Sequence, residues 1–233
     1  MNKAIIDLSG VWKTYRMGQV DVHALRGIDL KVRKGEFLTI AGPSGSGKST
    51  IMNLVGCLDL PSRGEIFLDG QNIAGFRESR LAQTRGKKIG FVFQQFNLIP
   101  TLTALENVML PLEFQDSEPS NARKRAESLL ELVDLGDRLH HLPSQLSGGQ
   151  MQRVAIARAL SVNPEIILAD EPTGNLDSKT GRFIMEFLGK IHNEEGKTII
   201  VVTHDLNLVG YADRVVHLKD GMVERIESRR RAG

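Results

Sequence analysis

The sequence has very little cysteine and no long apolar run. Cys57 is its single cysteine, so a disulfide within the chain is excluded. Its most apolar stretches, such as Ile166–Ala169 and Ile199–Val202, are far shorter than the ~18 apolar residues of a membrane-spanning helix. Residues 1–10 lack the apolar core of a signal peptide. We therefore expect a protein of a reducing compartment that depends on another chain for any attachment to a membrane.

The sequence also lacks a strong excess of charge of one sign. Its 30 basic and 28 acidic residues give a formal net charge of +2. Nucleic-acid-binding domains usually have a more basic balance and a clustered basic patch, so we expect no nucleic-acid partner. A short basic cluster, Arg229–Arg231, is interpreted as a solvated tail, with contact to anionic lipid headgroups or to a partner protein as the alternative.

The hydrophobic pattern changes character twice along the chain. Residues 1–94 alternate short β-like runs with turns, and residues 95–162 carry helical periodicity interrupted by prolines. Residues 163–233 return to alternating strands and helices. Continuous apolar runs such as Ile166–Ala169 are typical of central parallel strands that are covered on both faces. The pattern predicts one α/β domain into which a mainly helical subdomain is inserted at 95–162.

The strongest local motif is a glycine-rich loop between a predicted strand, Glu36–Ala41, and a predicted helix, Lys48–Leu58. The loop and the first residues of the helix, 42–50, read Gly-Pro-Ser-Gly-Ser-Gly-Lys-Ser-Thr, which matches the phosphate-binding P-loop. Glycines let the backbone approach a phosphate closely, and N–H groups at the helix start attract the anion. Lys48 is expected to neutralise the β- and γ-phosphates, and Ser49 to offer a hydroxyl to Mg²⁺. The residues assigned to ATP binding here are Ser44, Gly45, Ser46, Gly47, Lys48, Ser49 and Thr50.

Two acidic residues follow the apolar strand predicted at Ile166–Ala169. Asp170 would lie at the carboxyl edge of the sheet and hold Mg²⁺ through its water shell. Glu171 would accept a proton from the attacking water or orient it. A strand that ends in Asp-Glu is common by itself, and such acids then serve as a helix cap and a surface charge. The P-loop earlier in the chain favours the alternative, a Walker B strand with a catalytic carboxylate.

A second anion-binding helix start is predicted at Leu146–Gln150, where Leu-Ser-Gly-Gly-Gln opens a helical pattern. With Gln152 and Arg153 following, this segment resembles the signature sequence of the ABC ATPase family. Its place between the P-loop and the Walker B strand strengthens the resemblance, which extends from Tyr15 to about Glu224.

The patterns and the resemblance together predict the fold class. It is an α/β P-loop NTPase core with a parallel central sheet, formed by 1–94 and 163–233. An N-terminal antiparallel β subdomain and an inserted helical subdomain, 95–162, complete the single ABC ATPase domain. The inserted subdomain carries the signature sequence.

The resemblance assigns further positions. Tyr15 resembles the aromatic residue that stacks on adenine, with a surface tyrosine at a strand end as the alternative. Gln94 matches the Q-loop glutamine, which reaches Mg²⁺ and senses the membrane partner. Asp177 matches the D-loop at the dimer interface, and His204 matches the switch histidine that contacts the γ-phosphate. Contacts to the nucleotide of a second subunit are implied for Ser147, Gly148, Gly149 and Gln150.

The resemblance implies the ATP-binding and ATP-hydrolysing subunit of an ABC transporter, with ATP and Mg²⁺ as cofactors. Two copies would close head to tail around ATP and open after hydrolysis. Catalytic roles are implied for Glu171, His204, Lys48 and Gln94. The second partner would be a separate integral membrane subunit, which places this chain at the cytoplasmic face of the cell membrane.

The segment Ile89–Pro100 resembles the branch of the family that powers macrolide efflux and lipoprotein release, which favours export. Apolar residues after Gln94 are expected to line a groove for a short cytoplasmic helix of the membrane subunit; they are Phe96, Leu98, Ile99 and Leu102. Some relatives instead regulate cell-wall enzymes through a membrane protein that transports nothing, and this alternative stays open. A P-loop kinase or GTPase is not favoured, because it has no use for the signature sequence or for His204.

Overall fold

The structure, a computed structural model, describes residues 3–115 and 118–228. The basic cluster Arg229–Arg231 lies outside the described residues. Within them, the chain forms ten β-strands and six α-helices. The strands are β1 (Ala4–Met17), β2 (Val20–Arg33), β3 (Phe37–Ala41), β4 (Arg63–Leu68), β5 (Gln71–Asn72), β6 (Ile89–Val92), β7 (Ile166–Asp170), β8 (Thr198–Thr203), β9 (Arg214–Lys219) and β10 (Met222–Ser228). The helices are α1 (Lys48–Val55), α2 (Glu78–Lys88), α3 (Ala104–Glu113), α4 (Pro119–Leu132), α5 (Gly148–Ser161) and α6 (Ser178–Glu195). Short 3₁₀ turns lie at Gly136–Arg138, Pro143–Gln145 and Leu206–Tyr211.

The first compact unit comprises Met1–Arg85 and Leu188–Gly233. Its antiparallel sheet has the strand order β2-β1-β4-β5, and the long β1–β2 ribbon carries several register shifts. A second set of strands runs in the order β10-β9-β3-β8, in which β3 is parallel to both β8 and β9. All five residues of β3 are buried, and four of them are apolar, as expected for a central parallel strand; the fifth is Thr39. The carboxyl end of β3 leads into the glycine-rich loop and then into α1.

The second compact unit, Gly86–Phe187, combines a parallel strand pair with a helical layer. Strands β6 and β7 form the pair, and helices α3, α4 and α5 pack on one another. Their contact surfaces are apolar and fully buried at Val108, Ala126, Leu130 and Val154. The predicted insertion, 95–162, lies inside this unit, and its exact limits stay a prediction.

Among the elements that differ from the sequence pattern, three do so for clear local reasons. The first helix ends at Val55 instead of Leu58, because Gly56 caps it and Cys57 adopts a left-handed backbone with φ +55°. Helix α2 was not predicted, since Leu81 is its only buried residue and it therefore has no apolar face of helical period. Strand β10 was also missed, because most of its side chains are exposed and its pattern does not alternate clearly.

Candidate nucleotide-binding site

The glycine-rich loop forms a cradle that excludes side chains at two positions. A Cβ on Gly47 would lie 2.7 Å from the Ala24 carbonyl oxygen, and Gly47 has a left-handed φ of +100°. A Cβ on Gly42 would collide with the Leu218 carbonyl oxygen. Gly47 is also the N-cap of α1, so the N–H groups of the first turn, which begins at Lys48, directly adjoin the loop. Backbone donors are thus gathered where the sequence predicts a phosphate.

The Lys48 side chain is buried against the same loop. Only 8% of the residue is exposed, and its Nζ donates hydrogen bonds to the carbonyl oxygens of Gly42 and Pro43 at 2.8 and 2.9 Å. The Ser46 hydroxyl is buried and has no hydrogen-bond partner within the described residues. Neutral carbonyls solvate an ammonium without neutralising it. The loop therefore retains positive charge for an anionic ligand.

The remaining loop residues are accessible. Ser44, Gly45 and Ser49 are exposed, and Thr50 is half-buried. The hydroxyl predicted to reach Mg²⁺, on Ser49, thus lies on the open side of the first turn of α1.

Tyr15 and His204 belong to the first unit together with the loop. Tyr15 lies on β1, is 37% exposed, and donates a hydrogen bond from its hydroxyl to Asp59 Oδ2 at 2.9 Å. Burial, together with this bond and the charge of Asp59, raises the pKa of the Tyr15 phenol above its ordinary value. His204 is exposed and directly follows β8.

The two predicted carboxylates follow one another at the end of β7 in the second unit. Asp170 is the last residue of the strand, and both Asp170 and Glu171 are half-buried. Glu171 adopts a left-handed backbone with φ +45°, which is uncommon for any residue other than glycine, asparagine or aspartate. The turn is closed by the Gly174 N–H, which donates to the Glu171 carbonyl oxygen at 3.0 Å. A tight turn therefore fixes the direction in which the chain leaves the strand.

Gln94 is joined to the loop that follows Glu171. Its Nε2 donates to Asn175 Oδ1 at 3.4 Å, and Asn175 Nδ2 donates to the Gln94 carbonyl oxygen at 2.9 Å. A Cβ on Gly174 would lie 2.9 Å from Gln94 Nε2. The structure therefore brings the predicted Q-loop and D-loop segments together.

The predicted signature sequence begins α5. The Gln150 N–H donates to Ser147 Oγ at 3.3 Å, and the Ser147 N–H donates to Gln150 Oε1 at 2.8 Å. These reciprocal bonds form a capping box. The other N–H groups of the first turn belong to Gly148 and Gly149, so this helix start suits an anion.

Asp177 caps helix α6. Its Oδ1 accepts hydrogen bonds from the N–H groups of Lys179 and Thr180 at 3.0 Å each, and its Oδ2 accepts one from the Thr180 hydroxyl at 2.6 Å. The bonds from Thr180, followed by that from Lys179, hold the pKa of this carboxyl below its ordinary value. The local role of Asp177 is thus structural, and its place at a dimer interface stays a prediction.

Two residues that the sequence reasoning did not assign hold these segments. Arg158, on α5, donates to the carbonyl oxygens of Phe96 and Asn97 at 2.9 and 2.5 Å. The buried Gln152 donates to the Pro172 carbonyl oxygen at 2.6 Å. These contacts could not be predicted, because the sequence does not show which distant carbonyl group a polar residue on a helix will bind.

The residues predicted to hold Mg²⁺ supply only oxygen atoms. They are the hydroxyl of Ser49, the amide of Gln94 and the carboxylate of Asp170. Within residues 3–115 and 118–228, no group of three histidine, cysteine or acidic side chains is placed to bind a metal ion. Mg²⁺ keeps several waters and binds through one or two carboxylates and substrate phosphates. The donor set fits a cation that arrives with a nucleotide.

Comparison with known proteins decides the family. A family model described as ABC transporter matches residues 25–174, which is more than half of the chain. The chain belongs to the ABC transporter family. An uncharacterized ABC transporter ATP-binding protein of Thermotoga maritima is 54% identical to it over 227 residues, which is 97% of each chain. The macrolide export ATP-binding/permease protein MacB of Syntrophobacter fumaroxidans is 50% identical over 222 residues, which is 94% of this chain and 31% of the exporter.

The fold of this ABC protein also matches a solved structure. The dimeric ATP-binding cassette MJ0796, in a post-hydrolysis state bound to ADP and Pi, is 52% identical and superposes with a TM-score of 0.91. The match covers 97% of this chain and 99% of the cassette. The protein of that name from Methanocaldococcus jannaschii is described as an uncharacterized ABC transporter ATP-binding protein.

These similarities confirm the predicted family, the fold class, and an ATP-binding and ATP-hydrolysing subunit of an ABC transporter. They do not favour the non-transporting alternative. The dimeric cassette and the combined ATP-binding/permease protein support both predicted partners, a second copy and a membrane subunit. In the part of the chain that the structure describes, no helix combines the length and apolar character needed to cross a membrane.

Proposed function

We propose that this ABC subunit uses the residues assigned above to couple ATP hydrolysis to a separate membrane subunit that exports its substrate. The observation that carries the proposal is the buried Lys48 ammonium, which two carbonyls solvate in a cradle closed to side chains at Gly42 and Gly47. A polyphosphate would replace the carbonyls as the partner of this charge. The other loop donors would then bind the same phosphates.

Hydrolysis needs positioning and charge neutralisation more than covalent chemistry. Glu171 accepts a proton from the attacking water or orients that water. His204 contacts the γ-phosphate, and Tyr15 stacks on the adenine ring. Mg²⁺, when bound by Ser49, Gln94 and Asp170, neutralises charge on the phosphates.

The functional unit is a head-to-tail pair of identical subunits. Ser147, Gly148, Gly149 and Gln150 of one copy close the ATP site of the other, with Asp177 near the shared interface. The capped start of α5 supports this role, because its first N–H groups suit an anion. ATP favours the closed pair, since only the closed pair contacts it from both sides.

The membrane subunit docks on the segment that follows Gln94, which places this subunit at the cytoplasmic face of the cell membrane. Phe96 and Leu98 are half-buried and Ile99 is 37% exposed, so the segment offers apolar surface to a partner. Replacing Phe96 and Leu98 with glutamate is expected to abolish copurification with the co-expressed membrane subunit. The control is Leu132→Glu on α4, which changes an exposed leucine of the same unit. An assembled and fully coupled complex with both glutamates would overturn the docking assignment.

The decisive experiment on catalysis is Glu171→Gln. This change keeps the shape of the side chain but removes the base and one negative charge. ATP hydrolysis is expected to fall by about 10²–10⁴-fold while ATP is still bound. On a sizing column, the variant with Mg²⁺-free ATP is expected to elute as a dimer, and without ATP as a monomer.

The matched control is Glu165→Gln. Glu165 directly precedes β7 and Glu171 directly follows it, and both residues are half-buried. Glu165 pairs with Lys88 at 3.3 Å, so its replacement removes a charge without touching the assigned catalytic residues. Hydrolysis by Glu165→Gln should match that of wild type. If Glu171→Gln also hydrolyses ATP at the wild-type rate, Glu171 is not the catalytic carboxylate.

A further inference from the structure

Two charged side chains, Lys13 and Asp59, contact Tyr15 and each other. Lys13 and Tyr15 are two residues apart on β1, and both side chains reach Asp59. The Tyr15 hydroxyl donates to Asp59 Oδ2 at 2.9 Å, and the Lys13 ammonium donates to Asp59 Oδ1 at 2.6 Å. One carboxylate therefore holds both side chains, with one oxygen for each.

The carboxylate is itself fixed by the backbone. The Leu60 N–H donates to Asp59 Oδ1 at 2.7 Å, and Lys13 also donates to the Leu60 carbonyl oxygen at 2.8 Å. Burial opposes ionisation of Asp59, but the bonds from Lys13, Leu60 and Tyr15 outweigh it and hold the pKa of this carboxyl below its ordinary value. The Lys13 and Asp59 side chains are 12% and 29% exposed, so this ion pair is only partly screened by water.

The network also decides which side of the Tyr15 ring is accessible. The Lys13 ammonium lies over the ring, 4.9 Å from its centroid, which is within the range of a cation–π interaction. That face of the ring is occupied by the cation. Tyr15 as a whole is 37% exposed, so it keeps accessible surface for a flat ligand.

We propose that Asp59 and Lys13 are positioning residues, which hold the Tyr15 ring with a single open face on which adenine stacks. The inference rests on the proposed function, in which Tyr15 receives the adenine of ATP. A ring that is fixed before binding loses less side-chain freedom when the base stacks on it. Asp59 and Lys13 thus contribute to nucleotide affinity without touching the nucleotide.

The test compares ATP with inorganic tripolyphosphate, which offers the phosphate chain but has no base. Binding of each to the full chain is measured by calorimetry for Asp59→Asn and Tyr15→Phe. Tyr15→Phe removes the hydroxyl that donates to Asp59. Asp59→Asn removes the charge that pairs with Lys13 and leaves one acceptor oxygen for the two donors, Tyr15 and Lys13. Each variant is expected to weaken ATP binding by about three- to tenfold and to leave tripolyphosphate binding within about twofold of wild type.

The control is Asp7→Asn on the same strand. Asp7 pairs with Lys31 at 2.9 Å, and its side chain is 27% exposed, close to the value for Asp59. It lies eight positions from Tyr15, roughly 26 Å along an extended strand. Asp7→Asn is expected to leave the affinity for both ligands unchanged.

A double-mutant cycle separates this proposal from the function on which it rests. Tyr15→Leu should weaken ATP binding more than Asp59→Asn does, and adding Asp59→Asn to Tyr15→Leu should have no further effect. If Tyr15→Leu leaves ATP affinity unchanged, the adenine role of Tyr15 fails. If Tyr15→Leu weakens ATP binding but Asp59→Asn does not, or if Asp59→Asn weakens both ligands equally, Asp59 is not a positioning residue for the ring.

Discussion

Gly149 in the second unit has no room for a side chain, because another residue packs closely against its Cα. A Cβ on Gly149, in the first turn of α5, would approach Thr180 Cγ2 to 2.5 Å. The backbone of Gly149 is not left-handed, so conformational freedom does not explain the residue. Close packing against Thr180, the residue that also bonds Asp177, gives the reason. Gly149, in the predicted signature sequence, therefore packs closely against Thr180 in the first turn of α6.

Gly149→Ala is expected to lower the free energy of unfolding by about 1–3 kcal/mol, since the added methyl overlaps a fixed side chain. Thr180→Ser removes the Cγ2 methyl and keeps the hydroxyl that bonds Asp177. The double variant Gly149→Ala/Thr180→Ser should regain most of the loss. Urea unfolding of the two single variants and the double variant measures both effects.

The control at this scale is Gly189→Ala on α6, where a Cβ would meet nothing within 4 Å. Alanine is the better helix former, so this change should be neutral or stabilise by up to about 1 kcal/mol. A double variant that stays as unstable as Gly149→Ala would show that the overlap with Thr180 is not the cause.

At the scale of elements, α5 holds the loop that follows β6. Phe96 and Asn97 both adopt left-handed backbones, with φ +60° and +50°; asparagine tolerates this conformation, but it costs energy in Phe96. Arg158 binds both of their carbonyl oxygens, and its guanidinium is buried enough that its pKa is lowered. The strained turn is thus stabilised by a charged donor on the neighbouring helix, which hydrogen-bonds its carbonyl groups.

Arg158→Met keeps much of the side-chain volume but removes both donors. It is expected to destabilise the chain by about 1–3 kcal/mol, as the loss of hydrogen bonds from a charged group does. Amide hydrogen exchange should accelerate at 96–99, where the turn loses its support.

Arg153→Met, on the same helix, is the matched control for Arg158→Met. Arg153 bonds the Val133 carbonyl oxygen at 3.2 Å and does not bond the turn at Phe96 and Asn97. Its loss should leave exchange at 96–99 unchanged. Equal acceleration in both variants would mean that α5 as a whole, and not the Arg158 bonds, supports the turn.

Features that depend on neighbouring residues could be predicted from the sequence, whereas contacts between distant residues could not. Strands β3, β7 and β8 were predicted to within one residue at each end, because each is built on a run of buried and mostly apolar residues. The glycine-rich loop was predictable because its chemistry demands particular residue types at fixed spacing. Tyr15 and Asp59 are 44 positions apart, and Phe96 and Arg158 are 62 positions apart. No local sequence pattern predicts contacts between such distant residues, so these hydrogen bonds were identified only from the structure.

At the scale of the whole molecule, the assigned residues divide between two compact units. Tyr15, the P-loop and His204 belong to the first unit, whereas Gln94, Ser147, Glu171 and Asp177 belong to the second. The proposed head-to-tail pair requires Ser147 of one copy to serve the Glu171 site of the other. This requirement can be tested by mixing chains, without a structure of the pair.

Glu171→Gln and Ser147→Arg are expected to be inactive when each is assayed alone. In an equal mixture, half of the pairs combine the two variants. One site of each such pair then has an intact Glu171 and an intact Ser147 from different copies. The mixture should therefore recover about a quarter of the wild-type hydrolysis rate, the share expected for random pairing. If Ser147 instead serves the site of its own chain, mixing restores nothing.

The double variant Glu171→Gln/Ser147→Arg reverses this expectation. Every pair that it forms with a wild-type chain has one defect in each site. An equal amount of the double variant should therefore reduce hydrolysis by wild type to about half, because wild-type chains are withdrawn into inactive pairs. In a cis arrangement the wild-type sites would be unaffected. Recovery with the two single variants and inhibition with the double variant are opposite effects of one geometry, so a general loss of folding cannot produce both.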